Sequence, residues 1–226
     1  MAGRTALIAG ATGLVGTYCL RLLLASPSYG RVTAIVRRRM PVNHPNFVQH
    51  VVDFESLGDL ALSSCDDVFC ALGTTIRKAG SQAAFRRVDF DYARMIAEVG
   101  LRSGAQRFML TSSVGADPNS RNFYLRTKGE LEQAVASLPF AAVHILRPSL
   151  LLGTRSESRF GEGVAQAIMP MFAPLLRGQY SKYRPIPAQT VAAAMVYAAG
   201  TNVTGVHVYE HEDIKKFGEK ALPRGR

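Results

Sequence analysis

The sequence has only three cysteines in 226 residues, and no apolar run reaches the length of a membrane span. Cys19, Cys65 and Cys70 are an odd number without metal-like spacing, so we expect buried, reduced thiols rather than a disulfide framework or a metal centre. A membrane span needs ~18 consecutive apolar residues, and the amino-terminal segment fits a strand better than the apolar part of a signal peptide. These absences predict a cytoplasmic globular protein without a membrane span.

Acidic residues are also scarce: 17 carboxylates face 27 lysines and arginines, which gives a net charge of +10. A basic surface attracts nucleic acid through its phosphates. The cations are nevertheless scattered in short groups, with no continuous basic helix and no nucleic-acid motif. We therefore expect no specific nucleic-acid partner.

Short apolar, β-branched runs alternate with helical patterns, which is typical of a parallel sheet covered by helices on both faces. The runs are residues 5–9, 32–36, 48–51, 67–71, 107–111, 142–146 and 205–209. Helices are predicted from Leu14 to Ala25, from Gln82 to Ser103 and from Tyr124 onward. The sequence thus predicts an α/β fold with a doubly wound, mostly parallel Rossmann sheet.

One domain is expected over residues 1–226. Within it, glycines and prolines break the alternation at residues 149–187, which predicts a small substrate cap over the carboxyl ends of the strands. The charged segment from Lys215 to Arg226 is expected to be loosely held. The oligomeric state stays open.

A glycine-rich turn, Gly10 to Gly16, follows the first predicted strand and opens the first predicted helix. In such a strand-turn-helix unit, Gly10 permits the tight turn, Gly13 lets backbone N–H groups approach a pyrophosphate, and Gly16 lets the helix pack close to the strand. The helix N-terminus favours the anion. The turn predicts a dinucleotide site.

The second predicted strand is followed by Arg37, Arg38 and Arg39, where an NAD-selective enzyme carries an acidic residue for the ribose 2′-hydroxyl. Arginine instead forms charge-assisted bonds to a 2′-phosphate. This position favours NADP(H) over NAD(H), with Arg37 as the first contact, Arg38 as the second, and Arg39 in solvent.

Tyr124 and Lys128 are four residues apart and share one face of a predicted helix. A nearby ammonium stabilises phenolate, so the pair can exchange a proton with substrate. Ser112 and Ser113 end the fifth predicted strand, where a hydroxyl can hold a substrate carbonyl. Strand alternation leaves the choice between them open, and we favour Ser113.

The glycine turn, strand-end serine and YxxxK pattern occur in the order found in the short-chain dehydrogenase/reductase superfamily. More narrowly, the chain resembles atypical members, the Tat-interacting-protein oxidoreductase family. The segments that carry this resemblance are residues 72–75, 77–80, 88–89, 112–113, 115–117, 124–125, 128–130, 147–148, 151–152 and 157–159.

The resemblance implies bound NADPH and assigns it contacts along the chain. The pyrophosphate would lie on Gly10, Thr12, Gly13, Leu14 and Val15, the 2′-phosphate on Arg37 and Arg38, the adenine on Asp53 and Phe54, and the adenosine ribose on Ala71, Leu72 and Gly73. Pro148, Ser149 and Leu150 would border the nicotinamide, with Tyr124 and Lys128 beside it and Lys128 bonded to its ribose. Asp53 is equally explained as a helix N-cap.

One departure concerns Asp89, which stands where extended members often carry Asn. Asp89 therefore has either a catalytic role or a structural role as a hydrogen-bond anchor.

Two functions fit these features. The first is an NADP(H)-dependent oxidoreductase that transfers hydride to or from an unidentified carbonyl or alcohol substrate with a Ser-Tyr-Lys site. The second is an NADPH-binding regulatory or redox-sensing protein, with a protein partner and little or no turnover, because a cofactor motif does not prove catalysis.

Overall fold

The computed structural model of the protein describes residues 3–153 and 178–222. Its strands are β1 (Arg4–Ala9), β2 (Tyr29–Val36), β3 (Phe47–Val51), β4 (Asp67–Cys70), β5 (Arg107–Thr111), β6 (Ala142–Leu146), β7 (Leu151–Leu152), β8 (Ile186–Pro187) and β9 (Gly205–Tyr209). Strands β7 and β8 pair only with each other, and the other seven form one parallel sheet in the order β3-β2-β1-β4-β5-β6-β9. The strand order reverses direction between β1 and β4, and open α/β sheets bind ligands at the carboxyl ends next to such a point.

Helices cover both faces of the sheet, as predicted. They are α1 (Leu14–Ala25), α2 (Ile76–Ala79), α3 (Gln82–Arg86), α4 (Tyr92–Arg102), α5 (Phe123–Ala136), α6 (Ala188–Ala199) and α7 (His211–Ala221). Ile8 of β1 belongs to the core formed with α1, α6 and α7, which includes Leu23. Its neighbour Leu7 belongs to the core formed with α4 and α5, which includes Ile96. The predicted doubly wound Rossmann sheet is confirmed.

The helix predicted from Gln82 to Ser103 is interrupted. Helix α3 ends at Arg86, a π-helical turn spans Arg87–Asp91, and α4 begins at Tyr92. A π-helical turn bonds each N–H one residue further back than an α-helix does, and apolar spacing does not reveal it. The turn carries Asp89, whose side chain is buried.

The expectation of a loosely held tail from Lys215 is wrong as far as the described chain extends. Residues 211–221 form α7, which packs along α6. Ile214 is fully buried, and a Cβ atom at Gly218 would lie 2.5 Å from Thr190 Cγ2 of α6. The charged side chains that suggested a tail lie on the outer face of this helix.

The predicted substrate cap is described only at its two ends, residues 149–153 and 178–187. These hold β7, a 3-10 helix over Gly178–Tyr183, and β8. Residues 154–177 lie outside the described part of the chain. The cap therefore stays a prediction.

The three cysteines are free and buried, which confirms that prediction. Burial raises the pKa of Cys65 to about 12 and that of Cys70 to about 11, so both thiols are inert at neutral pH. In the described chain, no helix is both long enough and apolar enough to span a membrane.

Candidate active site

The glycine turn has the geometry that phosphate binding requires. Gly10 adopts a left-handed conformation (φ +84°), and a Cβ atom there would lie 2.4 Å from Ala71 O. A Cβ atom at Gly16 would lie 2.0 Å from Gly10 O, so only glycine permits this approach of α1 to the turn. Gly13 is the N-cap of α1, where no side chain caps the first N–H groups and no acidic residue occupies the first turn. These N–H groups can therefore bind an anion.

The remaining residues assigned to the pyrophosphate differ in exposure. Thr12 is exposed, Leu14 is half-buried and Val15 is buried in the core. The Leu14 side chain lies close to Gly153, since a Cβ atom added at Gly153 would be 2.9 Å from Leu14 Cδ1. The turn thus borders the chain that follows β7.

Arg37 and Arg38 extend from the carboxyl end of β2 beside the glycine turn. The parallel register pairs Ala9 with Ile35, so both arginines lie next to the segment after β1. Both are exposed, as is Arg39. Within the described chain, none of the three side chains makes a hydrogen bond or ion pair, and their charges are available to a ligand.

Asp53 and Phe54 follow β3, but both side chains have structural roles. Asp53 Oδ1 accepts a hydrogen bond from Glu55 N at 3.1 Å and caps a 3-10 helix. Phe54 is 5% exposed and packs edge-on against Tyr92. Asp53 is therefore observed as a helix N-cap, and its contact with adenine stays a prediction.

The segment after β4, Ala71–Gly73, lies directly over a buried ion pair. Lys128 Nζ of α5 lies 2.7 Å from Asp89 Oδ1 of the π-helical turn, and the two residues are 4% and 1% exposed. A Cβ atom at Gly73 would lie 3.5 Å from Asp89 Oδ1 and 3.9 Å from Lys128 Nζ. A side chain at position 73 would therefore contact the pair from the edge of the sheet.

Lys128 keeps its positive charge in this setting. Burial alone lowers the pKa of an ammonium, but the Asp89 carboxylate beside it, with smaller contributions from its other neighbours, outweighs burial and holds the pKa of Lys128 above its ordinary value. Tyr124 lies one helical turn away in the first turn of α5, is half-buried, and has its ring 5.5 Å from that of Phe85. The predicted Tyr-Lys pair thus shares a helix face and an electrostatic interaction.

The two strand-end serines are not equivalent. Ser112 is 6% exposed, and its hydroxyl donates to Glu132 Oε1 at 2.5 Å. Glu132 in turn pairs with Arg147, whose Nη2 lies 2.5 Å from its Oε2. The Ser113 hydroxyl is half-buried, and its only hydrogen bond in the described chain is a long one, 3.4 Å, to Val114 O. Ser113 therefore has the hydroxyl that can turn to a ligand.

Glu132 is the residue at this edge that sequence reasoning missed. It lies four residues after Lys128 and eight after Tyr124, on the same face of α5, and is 6% exposed. A carboxylate on the buried face of a helix requires a partner. The buried position of Glu132 was the available signal, but its partners, Ser112 and Arg147, come from the segments that follow β5 and β6.

Pro148, Ser149 and Leu150 follow β6 and are held by backbone contacts. Val114 N donates to Pro148 O at 2.9 Å, which joins the chain after β5 to the chain after β6. Ser149 donates its hydroxyl to Arg184 O, and Leu150 O accepts from Ile186 N. The segment predicted to border the nicotinamide is therefore tied to both neighbouring segments.

The chain is similar to known proteins in sequence and in fold. A family model described as NAD(P)H-binding matches residues 10–201. Protein HTATIP2 of Rattus norvegicus is 38% identical over 87% of this chain and 81% of its own length, and Protein FMP52, mitochondrial, of Debaryomyces hansenii is 32% identical over 88% and 89%. The solved structure of MoeE5 with UDP-glucuronic acid and NAD has a TM-score of 0.68 at 20% identity, over 90% of this chain and 75% of that one. The family resemblance and the fold are confirmed.

The comparison also corrects the predicted location. Several relatives bear the name Protein FMP52, mitochondrial, and this finding contradicts the prediction of a cytoplasmic protein, which is therefore wrong. Mitochondrial targeting segments are amphipathic and arginine-rich rather than apolar. A search for apolar runs therefore does not distinguish the two locations.

Proposed function

We propose that this protein is an NADP(H)-dependent oxidoreductase that acts on a carbonyl or alcohol substrate. The chain belongs to the NAD(P)H-binding family, and Protein HTATIP2 and Protein FMP52 are among its relatives. The observation that carries the proposal is the buried, charged Lys128, which lies one helical turn from Tyr124 and next to Gly73. A buried lysine that stays charged can lend its positive charge to chemistry at the site.

The choice of NADP(H) is supported by Arg37 and Arg38. Both side chains are exposed, unpaired in the described chain, and adjacent in the sheet to the glycine turn. No carboxylate follows β2 to accept hydrogen bonds from a ribose 2′-hydroxyl. A doubly charged 2′-phosphate gives these two cations a partner, whereas a 2′-hydroxyl does not.

The proposed chemistry divides among three side chains. Ser113 donates a hydrogen bond to the substrate carbonyl oxygen and orients it, and Tyr124 delivers its phenolic proton to that oxygen. Lys128 stabilises the phenolate left on Tyr124, which regains a proton from solvent. The nicotinamide supplies the hydride that completes the alcohol. In oxidation, the same groups act in reverse.

Tyr124→Phe tests the proposal, because it removes the phenol and keeps the ring that contacts Phe85. We expect NADPH affinity within twofold of the unmodified protein and a loss of turnover of about a hundredfold or more. NADPH oxidation over a panel of carbonyl compounds measures turnover, and fluorescence titration measures affinity. Tyr197→Phe is the control, since Tyr197 packs against Phe217 on the far side of α6.

Two outcomes contradict this proposal. Unchanged turnover in Tyr124→Phe would remove the assigned acid. NADPH binding without turnover of any carbonyl compound by the unmodified protein, together with a protein partner whose affinity depends on NADPH, would establish the regulatory alternative instead.

Arg37→Ala and Arg38→Ala test the cofactor choice. Each is expected to weaken NADPH binding about tenfold to a hundredfold, because a charge-assisted hydrogen bond contributes roughly 1.5–3 kcal/mol. NADH binding should not change, since NADH has no 2′-phosphate. Arg39→Ala is the control, and equal losses for both cofactors would contradict the assignment.

A further inference from the structure

The loop after β2 that carries the three arginines is held at both of its ends. At its start, Val52 N donates a hydrogen bond to Val36 O at 3.0 Å, which continues the ladder between β2 and β3. At its end, the side chain of Gln49 on β3 binds the backbone of Met40. Residues 37–39 lie between these two attachments, so the arginines form the tip of a short, closed loop.

The Gln49 amide serves Met40 as a neighbouring strand would. Met40 N donates to Gln49 Oε1 at 2.8 Å, and Gln49 Nε2 donates to Met40 O at 3.1 Å. An amide side chain carries an acceptor and donors on adjacent atoms, so it satisfies both backbone groups of one residue at once. Both residues are half-buried, and Met40 packs against the core on the α1 side of the sheet. Met40 therefore leaves β3 only by losing two hydrogen bonds and this packing.

The sequence around Met40 suits this arrangement. Pro41 follows it, and a residue before proline is restricted to extended conformations, as in a strand. Gln49 lies two residues before Val51, which pairs with Val36 at the end of β2. The chain after β2 therefore turns back along β3, and the arginines occupy the bend.

This bend lies beside the glycine turn, because Ile35 pairs with Ala9 in the sheet. Arg37 and Arg38 are exposed and make no hydrogen bond or ion pair within the described chain. In an unattached loop, these side chains and their backbone would have to be ordered when the cofactor binds, and such ordering costs affinity. A loop that is already closed at both ends avoids part of that cost.

We propose that Gln49 is a positioning residue for cofactor selectivity, which holds Met40 so that Arg37 and Arg38 meet the 2′-phosphate of NADP(H). Gln49 acts through the arginine loop rather than through a contact of its own. This inference rests on the NADP(H)-dependent function proposed above. Loss of the Gln49 amide should therefore weaken the binding of NADPH and spare that of NADH, which has no 2′-phosphate.

Gln49→Leu is the principal test, because leucine is similar in size and has no amide. Fluorescence titration without substrate measures both dissociation constants. NADPH should bind about fivefold more weakly, since two hydrogen bonds that order the loop are lost, and NADH affinity should change by less than about twofold. A merely structural role of Gln49 would weaken both cofactors alike, and this result would overturn the inference.

Gln106→Leu is the matched control. The Gln106 side chain also donates to a backbone carbonyl, Gly104 O at 3.2 Å, but it lies at the amino end of the sheet, just before β5. This variant should leave the affinities for NADPH and NADH unchanged.

A double-mutant cycle connects the effect to the arginines. In the Arg37→Ala/Arg38→Ala background, Gln49→Leu should change NADPH affinity by less than about twofold, because the loop no longer carries the groups that reach the phosphate. An undiminished loss in that background would show that Gln49 acts elsewhere, and the inference would then be wrong.

Gln49→Asn provides a second variant, which keeps the amide on a side chain one methylene group shorter. It cannot reach both backbone groups of Met40 at the observed distances, so the same selective loss of NADPH affinity is expected. This variant takes over the test if Gln49→Leu does not fold, as judged by circular dichroism. An unchanged ratio of NADPH to NADH affinity would then overturn the role of Gln49.

The results also separate this inference from the proposed function. A selective loss of NADPH affinity in Arg37→Ala and Arg38→Ala, without one in the folded Gln49 variants, would overturn the role of Gln49 alone. Unchanged NADPH affinity in the two arginine variants would overturn the proposed cofactor choice, and with it the inference.

Discussion

Two buried carboxylates determine which polar groups at the sheet edge are available for chemistry. Glu132 accepts the Ser112 hydroxyl at 2.5 Å and pairs with Arg147, so this serine is occupied. Asp89 fixes the position of Lys128 while its charge is retained. In the described chain, the hydroxyl of Ser113 makes only one long hydrogen bond, to Val114 O, so it is less engaged than that of Ser112. The neighbouring serines Ser112 and Ser113 thus differ in role because their hydrogen-bond partners differ.

Ser113→Ala and Ser112→Ala distinguish these roles. Ser113→Ala should lower kcat/KM about tenfold to a hundredfold, with unfolding free energy changed by less than about 0.5 kcal/mol, because its hydroxyl supports little of the structure. Ser112→Ala should cost about 1–3 kcal/mol of unfolding free energy, since Glu132 loses a buried donor. Turnover assays and urea denaturation measure both. The opposite pattern would assign the substrate contact to Ser112.

At the scale of elements, prediction succeeded where the apolar pattern matches the geometry of the element. The bounds of α1, β5, β6 and β9 agree with the patterns. A helix packed on a sheet repeats its apolar residues every 3.6 positions, and strands covered on both faces, such as β5 and β6, have continuous apolar runs. The π-helical turn was not predicted, since one altered hydrogen-bonded turn leaves the apolar spacing nearly intact. Helix α7 was mistaken for a tail because most of its residues are charged and face solvent.

Ile214→Ala tests whether α7 is integral to the fold. Ile214 is fully buried against the α1 and α6 core, so its truncation should lower the unfolding free energy by about 2–5 kcal/mol. Lys215→Ala, at a neighbouring position whose side chain is 57% exposed, should change it by less than about 0.5 kcal/mol. Urea denaturation measures both variants. Equal stabilities would show that α7 contributes little to folding.

Across the whole molecule, the two ends of the parallel sheet carry different groups of polar residues. The carboxyl end carries the glycine turn, the free arginines and the Lys128 pair. At the amino end, fully buried Asp67 binds Arg4 at 3.0 Å and Arg107 at 2.5 Å, and accepts the Tyr29 hydroxyl at 2.8 Å. This cluster joins β1, β2, β4 and β5 at the amino end of the sheet. The carboxyl end is thereby left free for a ligand.

Buried histidine makes the stability of the molecule depend on pH. His144 of β6 is fully buried, 3.0 Å from the Tyr209 hydroxyl, and burial together with His207 and Arg107 lowers its pKa to about 4. Between pH ~6.5 and that value, the unfolded chain binds a proton that the folded chain does not. The unfolding free energy therefore falls as the pH decreases, by about 2 kcal/mol from pH 7 to pH 5 through this residue.

His144→Gln should remove that contribution. Denaturation at pH 7 and pH 5 should show a pH-dependent loss about 2 kcal/mol smaller in the variant than in the unmodified protein. His50→Gln, at a half-buried position on edge strand β3, is the control and should keep the wild-type dependence. Identical pH dependence in His144→Gln would contradict the assignment.

The sequence by itself determined the Rossmann sheet, the glycine turn, the exposed arginines after β2 and the Tyr124–Lys128 spacing. Each of these follows from residues close together in the chain, whose geometry local backbone rules specify. Only the tertiary structure decided that Ser112 is bound to Glu132, that Asp89 joins Lys128 to Thr74, and that α7 is packed rather than loose. These contacts link residues 15 to 39 positions apart or join separate helices, and no local pattern encodes which partner a buried polar group meets.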